Sequence, residues 1–71
     1  MTTWQFEAMV KNHMKTHPDQ RKGQAMFNVA WDHIGDKVDY ILGSEKDPYY
    51  KDENIPVFME YLTENNFFSE S

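Results

Sequence analysis

The chain has 71 residues, a formal net charge of −5 and no cysteine, so disulfides, thiol nucleophiles and cysteine-based zinc sites are excluded. A chain of this length forms one small domain, and its core is too limited to surround a deep substrate cleft. It contains no long apolar run and no basic stretch leading into one, so we expect neither a signal peptide nor a membrane span.

The first predicted element is a helix from about Trp4 to Thr16. Thr2 and Gln5 have the spacing of a capping box, in which each side chain accepts a hydrogen bond from the backbone N–H of the other residue. Pro18 disfavours helical geometry at the residue before it and therefore ends the helix. Three- and four-residue spacing predicts the inward-facing stripe, which consists of Phe6, Met9, Val10, His13 and Met14.

A second helix is predicted from about Asp19 to His33, with either His17 or Asp19 as its N-terminal cap. Glycine inside a helix costs about 1 kcal/mol relative to alanine, so Gly23 indicates a closely packed neighbour, most simply the first helix. The apolar stripe of this second helix consists of Gly23, Met26, Phe27, Ala30 and Ile34.

Two further helices are predicted in the second half of the chain. Gly35 suits the left-handed position that ends many helices, so a short, separate third helix is expected from Asp36 to Leu42, ended by Gly43. Turn-forming and charged residues indicate a loop at 43–51. The last helix is expected to start near Asp52 to Asn54 and to continue to about Asn65.

The predicted fold class is all-α, because no alternating strand pattern reaches five residues anywhere in the chain. We expect a compact bundle of three to four short helices that forms a single domain over residues 1–64. The predicted core consists of Phe6, Met9, Val10, Phe27, Ala30, Ile34, Ile41, Phe58 and Leu62.

A polar tail is expected over residues 65–71, and it contains Phe67 and Phe68. Adjacent aromatic side chains cannot both face one side of a helix. Either at least one of the two is exposed and contacts a partner, or both fold back over the open end of the bundle. The sequence leaves both alternatives open.

A polar stripe lies beside the apolar stripe of the second predicted helix, so its side chains need hydrogen-bonding partners. The predicted loop offers two carboxylates for an arginine and turn backbone for amides. We call this set the polar clamp, and it consists of Arg21, Gln24, Asn28, Asp47 and Asp52. Its structural role would be to hold the loop against the helix. The alternative is that Arg21, Gln24 and Asn28 line a small-molecule or nucleotide pocket.

No constellation of catalytic or metal-binding residues is found. His13 and His17 are four residues apart, but the intervening segment lacks the glutamate of the zinc-protease motif, Pro18 disturbs the geometry and no third ligand is evident. The carboxylate pairs are typical of a solvated surface, and there is no glycine-rich phosphate loop. We therefore expect no metal, no cofactor and no enzymatic activity.

Charge is distributed unevenly along the chain. Residues 1–31 have a net charge of +2, whereas residues 32–71 have a net charge of −7. An acidic surface keeps a small protein soluble, and it also repels nucleic acid and anionic lipid while attracting a protein with a basic surface. The candidate partner-binding residues are aromatic and acidic: Tyr49, Tyr50, Asp52, Glu53, Phe67 and Phe68.

Three segments carry a resemblance to known proteins: the run from His17 to Asn28, the segment Asp47–Asp52 (DPYYKD) and residues 55–58 (IPVF). Together they resemble a group of small bacteriophage and bacterial proteins that share an R-x-G-Q…N helix and a D-P-F/Y-Y-x-D loop. The similarity covers most of residues 4–62. It implies a phage-encoded accessory protein in the host cytoplasm. By association at the level of this class, such a protein binds a host or defence-system protein and modulates it, for example as an inhibitor, without catalysis. The oligomeric state stays open.

Overall fold

Helices account for all the regular secondary structure in residues 1–69, which are the residues that the computed structural model describes. The elements in chain order are α1 (Thr3–Thr16), α2 (Lys22–Tyr40), a 3-10 helix (Asp52–Asn54) and α3 (Ile55–Glu64). This confirms the all-α prediction. α1 packs against α2, and the 3-10 helix contacts both α2 and α3. Within this part of the chain no helix has the length and apolar character needed to span a membrane.

α1 begins as the capping box predicts. The backbone N–H of Gln5 donates to Thr2 Oγ1 at 3.0 Å, and the backbone N–H of Thr2 donates to Gln5 Oε1 at 2.8 Å. Phe6 and Val10 are buried, but the prediction of Met9 as a core residue is wrong, because Met9 is exposed. Each residue rotates the helix by roughly 100°, so Met9 lies at the edge of the stripe that Phe6 and Val10 define.

α2 consists of two helical segments separated by a kink, and these segments correspond to the two helices predicted on either side of Gly35. Its break lies at Ile34 (φ −136°, ψ 46°), after which the helix continues to Tyr40. The break falls one residue before Gly35, which does not adopt the predicted left-handed conformation, and the indole of Trp31 packs beside Gly35. Among the glycines of residues 1–69, Gly43, which follows α2, is the one with a positive φ, at +82°.

The start of α2 also differs from the sequence prediction. The backbone N–H of Gln20 donates to the His17 carbonyl at 3.0 Å, so the residues around Pro18 form a turn and not a helical start. Arg21 occupies the N-cap position, and its side chain makes no capping hydrogen bond. The prediction of His17 or Asp19 as the cap is therefore wrong.

The core lies around α2, which is packed on more than one side. For this reason α2 contributes a wide arc of buried residues and not a narrow stripe. Ile34, at the kink, is partly buried against this core. The buried apolar residues are Phe6, Val10, Ala25, Met26, Phe27, Val29, Ala30, Val38, Ile41, Phe58 and Leu62.

α3 ends in a Schellman motif, which satisfies carbonyl groups of its last turn. Asn66 adopts the left-handed conformation, with φ 59°. The backbone N–H of Phe67 donates to the Leu62 carbonyl at 3.0 Å, and that of Asn66 donates to the Thr63 carbonyl at 3.1 Å. This motif turns the chain back toward α1, where Ser69 N–H donates to the carbonyl of Met1 at 2.8 Å. Residues 70 and 71 of the predicted tail lie outside the described residues.

Candidate functional site

The loop between α2 and the 3-10 helix is organised by Asp47, a buried carboxylate. Its Oδ2 accepts a hydrogen bond from the Gly43 backbone N–H at 2.7 Å, and its Oδ1 accepts one from the Tyr49 N–H at 2.8 Å. The side chain of Asn54 donates to the Asp47 carbonyl at 3.0 Å. Asp47 therefore folds the loop onto itself, whereas the polar-clamp prediction paired it with Arg21.

Asp52 is the residue that joins this loop to the start of α2. Its Oδ1 accepts a hydrogen bond from Arg21 Nη1 and another from the backbone N–H of Gly23, both at 3.1 Å. The first N–H groups of a helix have no partner within the helix, and a carboxylate near them is favoured by the helix dipole. Asp52 thus caps α2 from a position 29 residues further along the chain.

Arg21 binds the loop through a second contact as well, because its Nη2 donates to the carbonyl of Tyr49. Gln24 Nε2 donates to the hydroxyl of Tyr49 at 3.2 Å. Two of the three residues of the polar stripe therefore hold the loop, as the clamp prediction proposed. Their donors are used within the chain, and this geometry does not favour the alternative of a ligand pocket.

Asn28, the third residue of the stripe, does not join the clamp. Its Nδ2 donates to Gln20 Oε1 at 3.2 Å, and the same oxygen lies 2.9 Å from His13 Nε2. This link ties α2 to α1 through the turn between them. The clamp that the structure shows consists of Arg21, Gln24 and Asp52 together with the backbone carbonyl of Tyr49.

Gly23 allows the loop to approach α2 closely. A Cβ atom at this position would lie 2.7 Å from Asp52 Oδ1 and even closer to the carbonyl oxygen of Pro48, whose side chain is fully buried. Real Cβ atoms essentially never make contacts this short, so the approach requires glycine. The expectation that the first helix is the close neighbour of Gly23 is wrong, since the neighbour is the loop.

Tyr49 and Tyr50 differ in exposure although they are adjacent. The ring of Tyr49 packs edge-on against Phe27, with centroids 5.4 Å apart, and is partly buried. The side chain of Tyr50 is 67% exposed. The centroid of its ring lies 4.9 Å from that of the Tyr49 ring. Tyr50 borders a shallow depression of about 320 Å³. We call four exposed residues and the partly buried Asn54 around this depression the Tyr50 surface: Ser44, Glu45, Tyr50, Lys51 and Asn54.

Glu53, another predicted partner-binding residue, lies in the 3-10 helix next to this surface and is exposed. Asp52 is also exposed, although one of its oxygens is used by Arg21 and Gly23. Three of the predicted partner-binding residues in this short segment, Tyr50, Asp52 and Glu53, are therefore exposed.

Phe67 and Phe68 do not belong to this surface. Both rings pack edge-on against Phe6, with centroid distances of 5.4 and 5.6 Å, and both are partly buried against the core. Of the two alternatives for the tail, the structure shows the one in which the phenylalanines fold back over the bundle. Their prediction as exposed anchors for a partner is therefore wrong.

His13 and His17 form a stacked pair of rings, with centroids 4.2 Å apart. His17 Nδ1 lies 2.9 Å from Thr16 Oγ1, so local contacts orient its ring. Residues 1–69 contain no group of three or more histidine, aspartate or glutamate side chains arranged to hold a metal ion.

Sequence reasoning missed two features of the loop and one of α1. It did not predict the cap that Asp52 provides for α2, nor the use of the Tyr49 carbonyl by Arg21. It also passed over Trp4, which lies off the buried stripe of α1 and is highly exposed. An aromatic residue outside the stripe is the sequence signal that could have revealed this position.

Comparison with known proteins adds no relative: no family model matches this chain, and neither a curated protein nor a solved structure matches it. The fold and its contacts define the class as a small all-α domain. Its function has to be inferred from the surface of the chain itself.

Proposed function

We propose that this protein is a non-catalytic binding protein that contacts a partner protein through the Tyr50 surface. The supporting observation is an aromatic side chain, 67% exposed, on a loop that hydrogen bonds hold in one conformation. Aromatic residues dominate the binding energy of many interfaces. A loop that is already ordered loses little conformational entropy when it binds, which favours this loop over a flexible one.

Charge indicates the chemistry of the partner. The second part of the chain, residues 32–71, has a net charge of −7, and Asp32, Asp36 and Asp39 are exposed along α2. Complementary charge steers association and selects among partners. The proposed partner therefore has a basic surface with a recess that accepts the Tyr50 ring.

The resemblance to small phage and bacterial proteins suggests where this interaction takes place. It motivates the proposal of a phage-encoded accessory protein that acts in a bacterial cytoplasm on a host or defence-system protein. Modulation would result from occupying a surface of the partner, and no chemical step by this chain is proposed.

The test is an affinity capture from bacterial lysate, with and without phage infection, using the wild type and Tyr50→Ala. The matched control is Tyr40→Ala, because Tyr40 is 86% exposed and does not border the depression. We expect Tyr50→Ala to lose the captured protein and Tyr40→Ala to retain it, with both variants showing wild-type circular dichroism. Equal capture by both variants would contradict the proposal.

Electrostatic steering is tested with the captured partner. We expect its association rate to fall as ionic strength rises, because exposed charges are screened within about 8–10 Å at physiological salt. A rate that does not depend on ionic strength would remove the proposed role of the acidic residues.

A further inference from the structure

α1 has an exposed face opposite its buried residues Phe6 and Val10. Trp4, Ala8, Lys11 and Lys15 recur at four-, three- and four-residue spacing and therefore lie along one side of the helix. Trp4 is 78% exposed, which is unusual for so large an apolar side chain. This face is separate from the Tyr50 surface.

A groove of about 560 Å³ lies beside this face, and we call it the α1 groove. Its lining is apolar at Trp4, Ala8, Val10 and Met14, and it is charged at Glu7, Lys11 and Lys22. Glu7 pairs with Lys22 at 3.7 Å, so these two charges compensate each other. Lys11, and Lys15 one turn further along α1, form no ion pair with the described residues. The α1 groove therefore combines an apolar lining with an uncompensated positive charge.

We propose that the α1 groove binds an acidic amphipathic helix of a partner protein. Its lining residues on α1 run from position 4 to position 14, which corresponds to about 15 Å, or three turns, along this helix. Ala8 lies in the middle of this span, and its small side chain lets a second helix approach closely. Apolar side chains of the partner would cover Trp4, and its carboxylates would pair with Lys11 and Lys15. Helices that bind in this way use side chains at positions i, i+3, i+4 and i+7.

An extended peptide fits this site less well than a helix does. Peptides that bind as strands add to the edge of a sheet, and residues 1–69 contain no strand. The spacing of the exposed residues along α1 matches the repeat of a helix lying alongside it.

The local charge favours an acidic partner even though the whole chain is acidic. Exposed charges more than about 8–10 Å away are largely screened at physiological salt, so nearby lysines dominate the groove. A second copy placed face to face would bring the lysines of both copies close together. An acidic helix instead places carboxylates against these lysines.

The probe for the test is a synthetic 14-residue helical peptide with leucines on one face and glutamates beside them. A second peptide of the same pattern carries lysine in place of glutamate. Binding is followed by the anisotropy of a fluorescein label on the peptide. In a Trp31→Phe background, Trp4 is the remaining tryptophan, and its emission reports occupation of the groove.

We expect the acidic peptide to bind at least tenfold more tightly than the basic peptide and to shift Trp4 emission to shorter wavelength. Lys11→Glu should weaken binding of the acidic peptide about tenfold. The matched control is Lys37→Glu, which makes the same change in net charge at an exposed residue of α2 and should leave binding unchanged. Equal binding of both peptides, or equal effects of the two charge reversals, would overturn the proposal.

Two further measurements test whether a second copy of the chain or a lipid surface occupies the α1 groove instead. Sedimentation that shows a dimer, lost in Trp4→Ala, would assign the face to a second copy of the chain and overturn the proposal. A shift of Trp4 emission with phosphatidylglycerol vesicles but not with the acidic peptide would assign it to lipid and overturn it equally. The proposal requires a monomer whose Trp4 emission responds to the peptide and not to the vesicles.

Discussion

Replacing Gly23 with alanine perturbs the contact between the start of α2 and the loop that carries Tyr50. The new Cβ would lie 2.7 Å from Asp52 Oδ1 and closer still to the carbonyl oxygen of Pro48. The carboxylate can rotate, but the carbonyl belongs to the backbone of a buried residue. The loop must therefore move away from α2, and the hydrogen bonds that Asp52 accepts from Gly23 and Arg21 are weakened.

The expected loss of stability follows from three contributions. Forcing extra atoms into a packed site costs about 1–3 kcal/mol. Weakening, without losing, the two hydrogen bonds that Asp52 accepts costs about 1 kcal/mol in total, a part of the roughly 1.5–3 kcal/mol that a hydrogen bond to a charged group contributes. The higher helix propensity of alanine offsets this by stabilising the folded state by up to about 1 kcal/mol. The balance is a loss of about 2 kcal/mol, or about half the 3–5 kcal/mol typical of a domain this small.

The assay is urea unfolding followed by far-ultraviolet circular dichroism, together with thermal melting. We expect Gly23→Ala to lower Tm by about 10 °C, since 1 kcal/mol corresponds to about 4–8 °C in a domain of this size. The matched control is Gly35→Ala, whose Cβ would meet Trp31 Nε1 at an ordinary contact distance of 3.6 Å. Gly35→Ala should be neutral or stabilising by up to about 1 kcal/mol. If both variants have the same stability, the close approach of the loop to Gly23 is refuted.

Three other substitutions give independent tests by urea unfolding. Arg21→Ala should lower the free energy of unfolding by about 1–2 kcal/mol, because its ion pair with Asp52 is half exposed (46% and 48%) and therefore weaker than a buried pair. A largely unfolded variant would contradict this. Truncation after Asn66 removes the two rings that cover Phe6 and should lower the free energy of unfolding by more than about 2 kcal/mol. An unchanged free energy of unfolding would show that the tail is not part of the core. Asn66→Ala should cost about 1–2 kcal/mol because of its positive φ of 59°, whereas Asn66→Gly should not destabilise the protein; equal stability of the two would exclude the left-handed conformation.

The clamp has a consequence for the proposed function. Arg21, Gln24 and Asp52 hold the loop through hydrogen bonds to Tyr49 and Gly23, and Tyr50 follows directly in the chain. Breaking the clamp is therefore expected to loosen the position of Tyr50 without removing its ring. Arg21→Ala should weaken partner binding less than Tyr50→Ala does, because the ring is retained.

Features that depend on residues close together in the chain could be predicted from the sequence alone. The capping box of α1 joins residues three positions apart, and the stripe of Phe6 and Val10 repeats at the helix period. Pro18 acts on its immediate neighbour. These interactions are local, so a helix start, a helix end and a buried face follow from short-range spacing.

The partner that each polar and aromatic group takes depends on how the helices and the loop pack together. Asp47 and Asp52 belong to one short segment, yet Asp47 folds the loop and Asp52 caps α2. Phe67 and Phe68 had two compatible positions until the turn at Asn66 directed them onto Phe6. The sequence gives no spacing rule for groups some 29 or 60 residues apart, because their distance depends on how the helices pack. The loop approaches Gly23 through the Pro48 carbonyl and Asp52, and Tyr50, between these two residues in the chain, is exposed.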